Sequence, residues 1–151
     1  DSVPAWVAGD ARDVRRARTV DEVERRLRAR LVLPAYFPAR LAWPPARIRW
    51  VATAPGAVEL SVDARGGGPA LLLAQTVGRG ALPERLVPPV RELDRSPVAV
   101  GRASGWLARV VVDGEVAWQL TWEQGGRSLL LRSRGTVDEL LRMARSAREA
   151  P

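Results

Sequence analysis

Thr-Val-Asp-Glu occurs twice in the chain, at 19–22 and 136–139, and most of what is regular between the two copies repeats with a period of two. Each tetrad is a capping box, in which the Thr hydroxyl accepts from the amide three residues on and the Glu carboxylate reaches back toward the cap. Behind the first copy, Val20, Val23, Leu27 and Leu31 are spaced by three, four and four, which predicts a helix over 20–31. Behind the second, Val137, Leu140, Leu141 and Ala144 fall on one side and arginines on the other, which predicts a closing amphipathic helix. Common capping chemistry explains the shared tetrad, and four residues are too few for an internal repeat.

The intervening period of two belongs to strands. Ile48, Trp50 and Ala52 alternate with Arg47, Arg49 and Val51, and Val58, Leu60 and Val62 alternate with Glu59, Ser61 and Asp63, with a turn at Ala54-Pro55-Gly56. Gly66-Gly67-Gly68 leads to a third strand, Ala70 to Thr76, whose Leu71, Leu72 and Leu73 imply burial on both faces. The prolines of 33–45 suggest an extended, stiffened crossing segment rather than regular structure. Residues 78–97, with Pro83, Pro88, Pro89 and Pro97, read as a long excursion with a short helical turn near Glu84 to Leu86.

The last third consists of two hairpins. Gly125-Gly126 suits a two-residue primed turn pairing Trp122 with Leu129 and Leu120 with Leu131. Before it, Trp106, Ala108 and Val110 face the side of Val116, Trp118 and Leu120 only across a loop of odd length. A two-residue Asp113-Gly114 loop would instead oppose Arg109 to Trp118 and Val110 to Ala117. The expectation is therefore a three-residue loop, Val112-Asp113-Gly114, with Gly114 left-handed in a bulge, and Trp106, Trp118 and Trp122 together on the core face. The fold class expected is α+β, a curved antiparallel sheet of about seven strands flanked by an N-terminal and a C-terminal helix. At 151 residues the chain suffices for one core, with 1–18 as a basic extension or linker and 19–151 as a single domain.

Neither histidine nor cysteine is present, which removes Ser-His and Cys-His pairs, thiol redox chemistry and the His/Cys zinc patterns. Lysine is absent too, so the serines lack either usual base. Glu59 and Asp63 share a strand face but stand about 13 Å apart at strand rise, outside both glycosidase spacings. Asp113 and Glu115 occupy an exposed hairpin tip, where turn chemistry accounts for Asp113. The glycine runs at 66–68 and 125–126 have no phosphate-loop lysine and read as turns. The reading is non-enzymatic, with no catalytic residue, no metal ligand set and no cofactor.

All 24 basic residues are arginine, asparagine is missing and Ile48 is the sole isoleucine. This pattern points to a GC-rich coding sequence, such as that of a GC-rich bacterium, and suits a thermophile, so arginine usage by itself does not indicate phosphate binding. Residues 1–49 hold eleven arginines against six acids. Arg15, Arg16, Arg25 and Arg26 are candidate contact residues for an anionic membrane surface, although Asp21, Glu22 and Glu24 stand four residues before Arg25, Arg26 and Arg28 and suit self-paired charges on a solvated face. Nucleic acid is disfavoured because no aromatics are interleaved with these arginines. Trp6 and Trp43, in irregular segments, are the other contact candidates. No apolar run is long enough to span a bilayer, and the start at Asp1 without a leader suits a processed form or one lacking its targeting segment.

The capped first helix, Leu33-Pro34-Ala35-Tyr36-Phe37-Pro38, the strand from Val58 to Asp63 leading to Leu71-Leu72-Leu73-Ala74-Gln75, the hairpin Val116 to Gly126 containing Thr121-Trp122-Glu123-Gln124-Gly125-Gly126, and the closing Ala144-Arg145-Ser146 helix resemble a bacterial domain family of unknown function. That family lies at the extracytoplasmic C-terminal end of anti-sigma-factor-like membrane proteins and related lipoproteins, and the resemblance covers about 19–148. Phe37 replaces the family's usual leucine, and Ala39-Arg40 its acidic-glycine pair. The resemblance implies a sheet packed by helices, a membrane-tethered position outside the cytoplasm, and a sensor or protein-interaction role with an unidentified protein partner. The alternative is a lipid or lipoprotein carrier with an apolar ligand held in a cavity under the sheet.

Overall fold

A computed structural model describes residues 13–53 and 55–149. The protein is α+β. Strands β1 (Arg15–Ala17), β3 (Leu41–Val51), β4 (Gly56–Ala64), β5 (Pro69–Val77), β6 (Arg91–Val100), β7 (Ala103–Val112), β8 (Glu115–Gln124) and β9 (Arg127–Ser133) form one sheet in the order β1-β3-β4-β5-β9-β8-β7-β6. Every neighbouring pair is antiparallel. A second ribbon joins β2 (Val32–Leu33) to β10 (Arg148–Glu149). The sheet therefore has eight strands where about seven were expected.

Alternation divides the strands between two cores. Ile48, Trp50, Leu60, Leu73, Leu120, Trp122 and Leu131 lie in one cluster with Val23 of helix α1 (Val20–Leu27) and Leu140, Met143 and Ala144 of helix α2 (Val137–Ser146). Val51, Ala57, Leu72, Ala74, Ala108, Val110 and Leu130 point the other way and are covered by Leu86 and Val87 of the 78–90 excursion. The leucine run of β5 is buried on both faces, as its composition required: Leu71 and Leu73 belong to the first cluster and Leu72 to the second.

Both capping threonines accept as expected, Thr19 from Glu22 N–H at 3.1 Å and Thr136 from Glu139 N–H at 3.2 Å. Helix α1 stops four residues short of its expected end. Arg28 adopts φ 54°, and the Arg28 and Ala29 amides turn back to the carbonyls of Arg25 and Glu24, which is a left-handed termination. Leu31 stays in the core without the helix because the Glu24 carboxylate accepts from its amide at 2.8 Å. The crossing segment is shorter than expected: β3 begins at Leu41 and accommodates Pro44 and Pro45 where its register shifts between Ala42 and Arg47. The excursion ends at Val90, and β6 tolerates Pro97 because it is the edge strand and its outer side needs no ladder donor.

The main correction concerns the Asp113 loop. Arg109 lies opposite Trp118 and Val112 opposite Glu115, so the connection is the two-residue Asp113-Gly114 turn, with φ of 51° and 79° as a type I′ turn requires. One residue of loop length turns the whole strand over. Trp118 and Trp122 keep the helix side, with Trp122 paired to Leu129 as expected, whereas Trp106 faces the excursion side and is 47% exposed. Arg109 lies on the helix side, exposed, and pairs with Asp94 at 2.6 Å.

Two pieces of the motif resemblance meet in space. Ser146 Oγ accepts from the Ala35 and Tyr36 amides, both at 3.0 Å, and donates to Met143 O at 2.8 Å, tying the proline-aromatic segment to the closing helix. Arg40, at the position where the family pattern differs, donates to Glu139 Oε1 at 2.7 Å and lowers its pKa.

Candidate binding groove

The excursion side of the sheet carries an open groove of about 580 Å³. Its floor is built by same-face positions of the three strands β7, β8 and β9: Trp106 lies opposite Thr121 and Thr121 opposite Leu130, while Gln119 lies opposite Arg132 in the next row. Leu82, Val87, Pro88, Pro89 and Val90 form one wall.

Several contacts fix that wall as a strap. Leu86 is fully buried, and the Leu86 and Val87 amides both return to Pro83 O at 3.0 Å. Arg85 donates to Thr53 O at 3.1 Å and pairs with Asp13 at 2.7 Å. At the leading end, Ser128 Oγ donates to Gly80 O and Thr76 Oγ1 to Gly78 O, each at 2.7 Å. Pro88 and Pro89 limit backbone freedom beyond the pinned turn. From the edge strand β6, where Arg95 lies opposite Ala108, its guanidinium sits 4.5 Å from the centroid of the Trp106 ring, a cation-π contact that leaves part of the indole open.

Charge is buried beside this floor. Arg49, Glu59 and Arg132 are 2%, 1% and 1% exposed, on the same face as Ser61 and Gln119. Arg49 Nε stands 3.6 Å from Glu59 Oε1, and Arg132 Nε donates to Gln119 Oε1 at 2.9 Å. Both Glu59 oxygens and Arg132 Nη1 lack a hydrogen-bond partner. Burial pushes the Glu59 carboxyl up to about 7, against the pull of Arg49, Arg132 and Arg47. Burial likewise brings Arg132 down to about 10, with Glu59 opposing the fall. The floor thus has a buried cation whose neighbouring carboxylate is only partly ionised near neutrality.

The residues singled out from sequence are dispersed. Arg15 is opposite Trp50 and Arg16 opposite Arg49, so strand alternation sends these two side chains to opposite faces of the sheet edge. Arg25 and Arg26 are exposed in the last turn of α1. The three i,i+4 pairs expected there are not formed: Glu22 accepts from Arg18 N–H, and Glu24 serves Leu31 N–H and Arg30. Trp43 is 41% exposed and packs on Phe37 with ring centroids 4.8 Å apart. Trp6 lies outside the described residues. Among the described residues, none of these candidates lines the groove.

The sequence reading assigned Trp106 to the core face rather than to a site, and did not single out Gln119 or Arg132. A signal for Arg132 existed: it directly follows Leu129-Leu130-Leu131, and a run buried on both faces implies burial of whatever continues the strand. No family model matches the chain, and no curated protein or solved structure matches it, so the family resemblance rests on the quoted motifs alone.

Proposed function

We propose that the chain is a non-enzymatic protein-interaction or sensor domain that works tethered to a membrane, outside the cytoplasm. The observation that carries the interaction reading is the groove, with a half-exposed tryptophan in its floor and a pinned, proline-stiffened wall. A preordered cleft of this size suits a few residues of an extended chain, and a large aromatic beside polar groups is the usual anchor in such contacts. The Ser128 hydroxyl holds the strap, and Gln119 braces Arg132, so these polar groups serve shape and recognition. Location and tether rest on the motif resemblance.

The carrier alternative needs an apolar hollow between helices and sheet. That layer is filled by Trp50, Leu60, Leu120, Trp122 and Met143, and the void beside Val32, Leu73 and Trp122 measures only about 10 Å³. This filling favours the interaction reading.

Selection of displayed peptides on the folded domain, followed by measurement of the winners on Trp106→Ala, tests the proposal. Saturable binders that weaken about tenfold on Trp106→Ala are expected. Failure to enrich any peptide, or binders indifferent to Trp106, would contradict it. Protease shaving of intact cells expressing the full-length tagged protein tests the location: loss of the domain's signal is expected, and full protection would refute an exposed extracytoplasmic position.

A further inference from the structure

The groove's floor has a chemical preference that its shape does not reveal. Arg132 is 1% exposed and lines the groove, yet its Nη1 has no acceptor, and its one side-chain hydrogen bond runs from Nε to Gln119. A buried guanidinium is costly unless paired, and its planar fork matches a carboxylate better than any other common partner. Glu59, two strands away, acts on Arg132 through its charge but makes no hydrogen bond to it and is only partly ionised near neutrality, so it does not occupy the guanidinium. The acids that line the groove, Glu92 and Glu123, sit off the Gln119–Arg132 row: Glu92 is opposite Val110 and Glu123 opposite Ser128. Glu123 is about 13 Å along the strand from Gln119. The formal charge of +7 adds a long-range bias toward acidic partners.

We propose that the groove receives an acidic segment of a protein partner, with an Asp or Glu carboxylate docking on the Arg132 guanidinium and an apolar neighbour lying on Trp106. This rests on the interaction reading and names the chemistry of the partner. Nη1 itself is sealed from solvent, so the carboxylate meets the edge of the Arg132 guanidinium that lines the groove, and the strap residues Leu82, Val87 and Val90 shield the pair from water, so its strength depends only weakly on salt.

Calorimetric titration of the whole domain tests it with three probes: a capped pentapeptide with glutamate between glycines and leucines at its ends, the same peptide with glutamine, and free glutarate. The glutamate peptide is expected to bind about tenfold or more tighter than the glutamine peptide. Arg132→Gln should abolish that preference, while Trp106→Ala should weaken both peptides about fivefold and leave the preference intact. The comparison of the two peptides on the unaltered protein stands even if Arg132→Gln fails to fold. Equal binding of both peptides overturns the carboxylate inference while leaving the interaction reading in place. Glutarate binding as tightly as the glutamate peptide overturns the peptide partner in favour of a free acid. Absence of binding by all three probes overturns the inference, and the interaction reading falls with it only if displayed peptides also fail.

Discussion

Replacing Glu59 by Gln keeps the shape of a buried side chain and removes its titration. An unfolded glutamate releases its proton near 4.5, while in the folded protein burial holds Glu59 to about 7. The folded state therefore binds this proton more tightly. Its contribution to stability is fully present below about pH 4.5, where both states are protonated, and is lost as pH rises through 7. The difference of about 2.5 pH units corresponds to about 3 kcal/mol, from 1.36 kcal/mol per unit. Glu59 is 1% exposed, so solvent screening does not reduce the figure appreciably. Urea unfolding of both proteins, followed by tryptophan fluorescence from pH 4.5 to 8.5, isolates this residue because the remaining carboxylates are common to both. The two proteins should be of similar stability at pH 4.5, and Glu59→Gln should be more stable by about 3 kcal/mol at pH 8.5. A stability difference independent of pH would refute the reasoning. So would a wild type that gains on the variant as pH rises, since that would mean Arg49 and Arg132 outweigh desolvation.

Gly105 lies opposite Trp122, and a Cβ there would come 2.8 Å from Thr121 O and 3.3 Å from Trp122 Cβ, so Gly105→Ala should cost roughly 1 to 3 kcal/mol in denaturant midpoint measurements. Ser146→Ala leaves the Ala35 and Tyr36 amides without their side-chain acceptor and should cost about 1 to 3 kcal/mol; hydrogen exchange should quicken at Tyr36, while Ala35 keeps its bond to Ser146 O. The dispersed arginines should give weak attachment to anionic vesicles that is largely lost near physiological salt, and changing Arg15, Arg16, Arg25 and Arg26 to Gln should alter little more than that weak attachment. Co-sedimentation over a salt series checks this, and tight binding that survives salt would contradict it.

Local chemistry was legible in the sequence where one residue type has one job. The two Thr-Val-Asp-Glu boxes open both helices, Gly125-Gly126 makes its turn, and Val58, Leu60 and Val62 face Trp50 and Ile48 as their alternation requires. The phase of β7 was not legible. Val110 and Val112 are buried on one face and Leu107 packs on the other, so polarity gives no contrast to fix which way the strand faces. The shared side of the tryptophans was an assumption, and Trp106 breaks it. β6 escaped because an edge strand exposed on both faces has no apolar alternation to display, and its Pro97 argues against a strand anywhere except at an edge. The groove depends on both of these elements together with the strap, so it could not be read before β7 was oriented. The arginine-rich front drew attention through composition, whereas the arginine that lines the groove is Arg132, one buried residue directly after the three leucines of β9.

Chemical-shift mapping on the isotope-labelled domain, titrated with a peptide selected on it, tests the groove most directly. Shifts should concentrate at the Trp106 indole, at Gln119, Thr121 and Arg132, and along 82–90. Shifts gathered instead around Arg25 and Arg26 of α1, with the groove silent, would contradict the assignment of this face as the binding site.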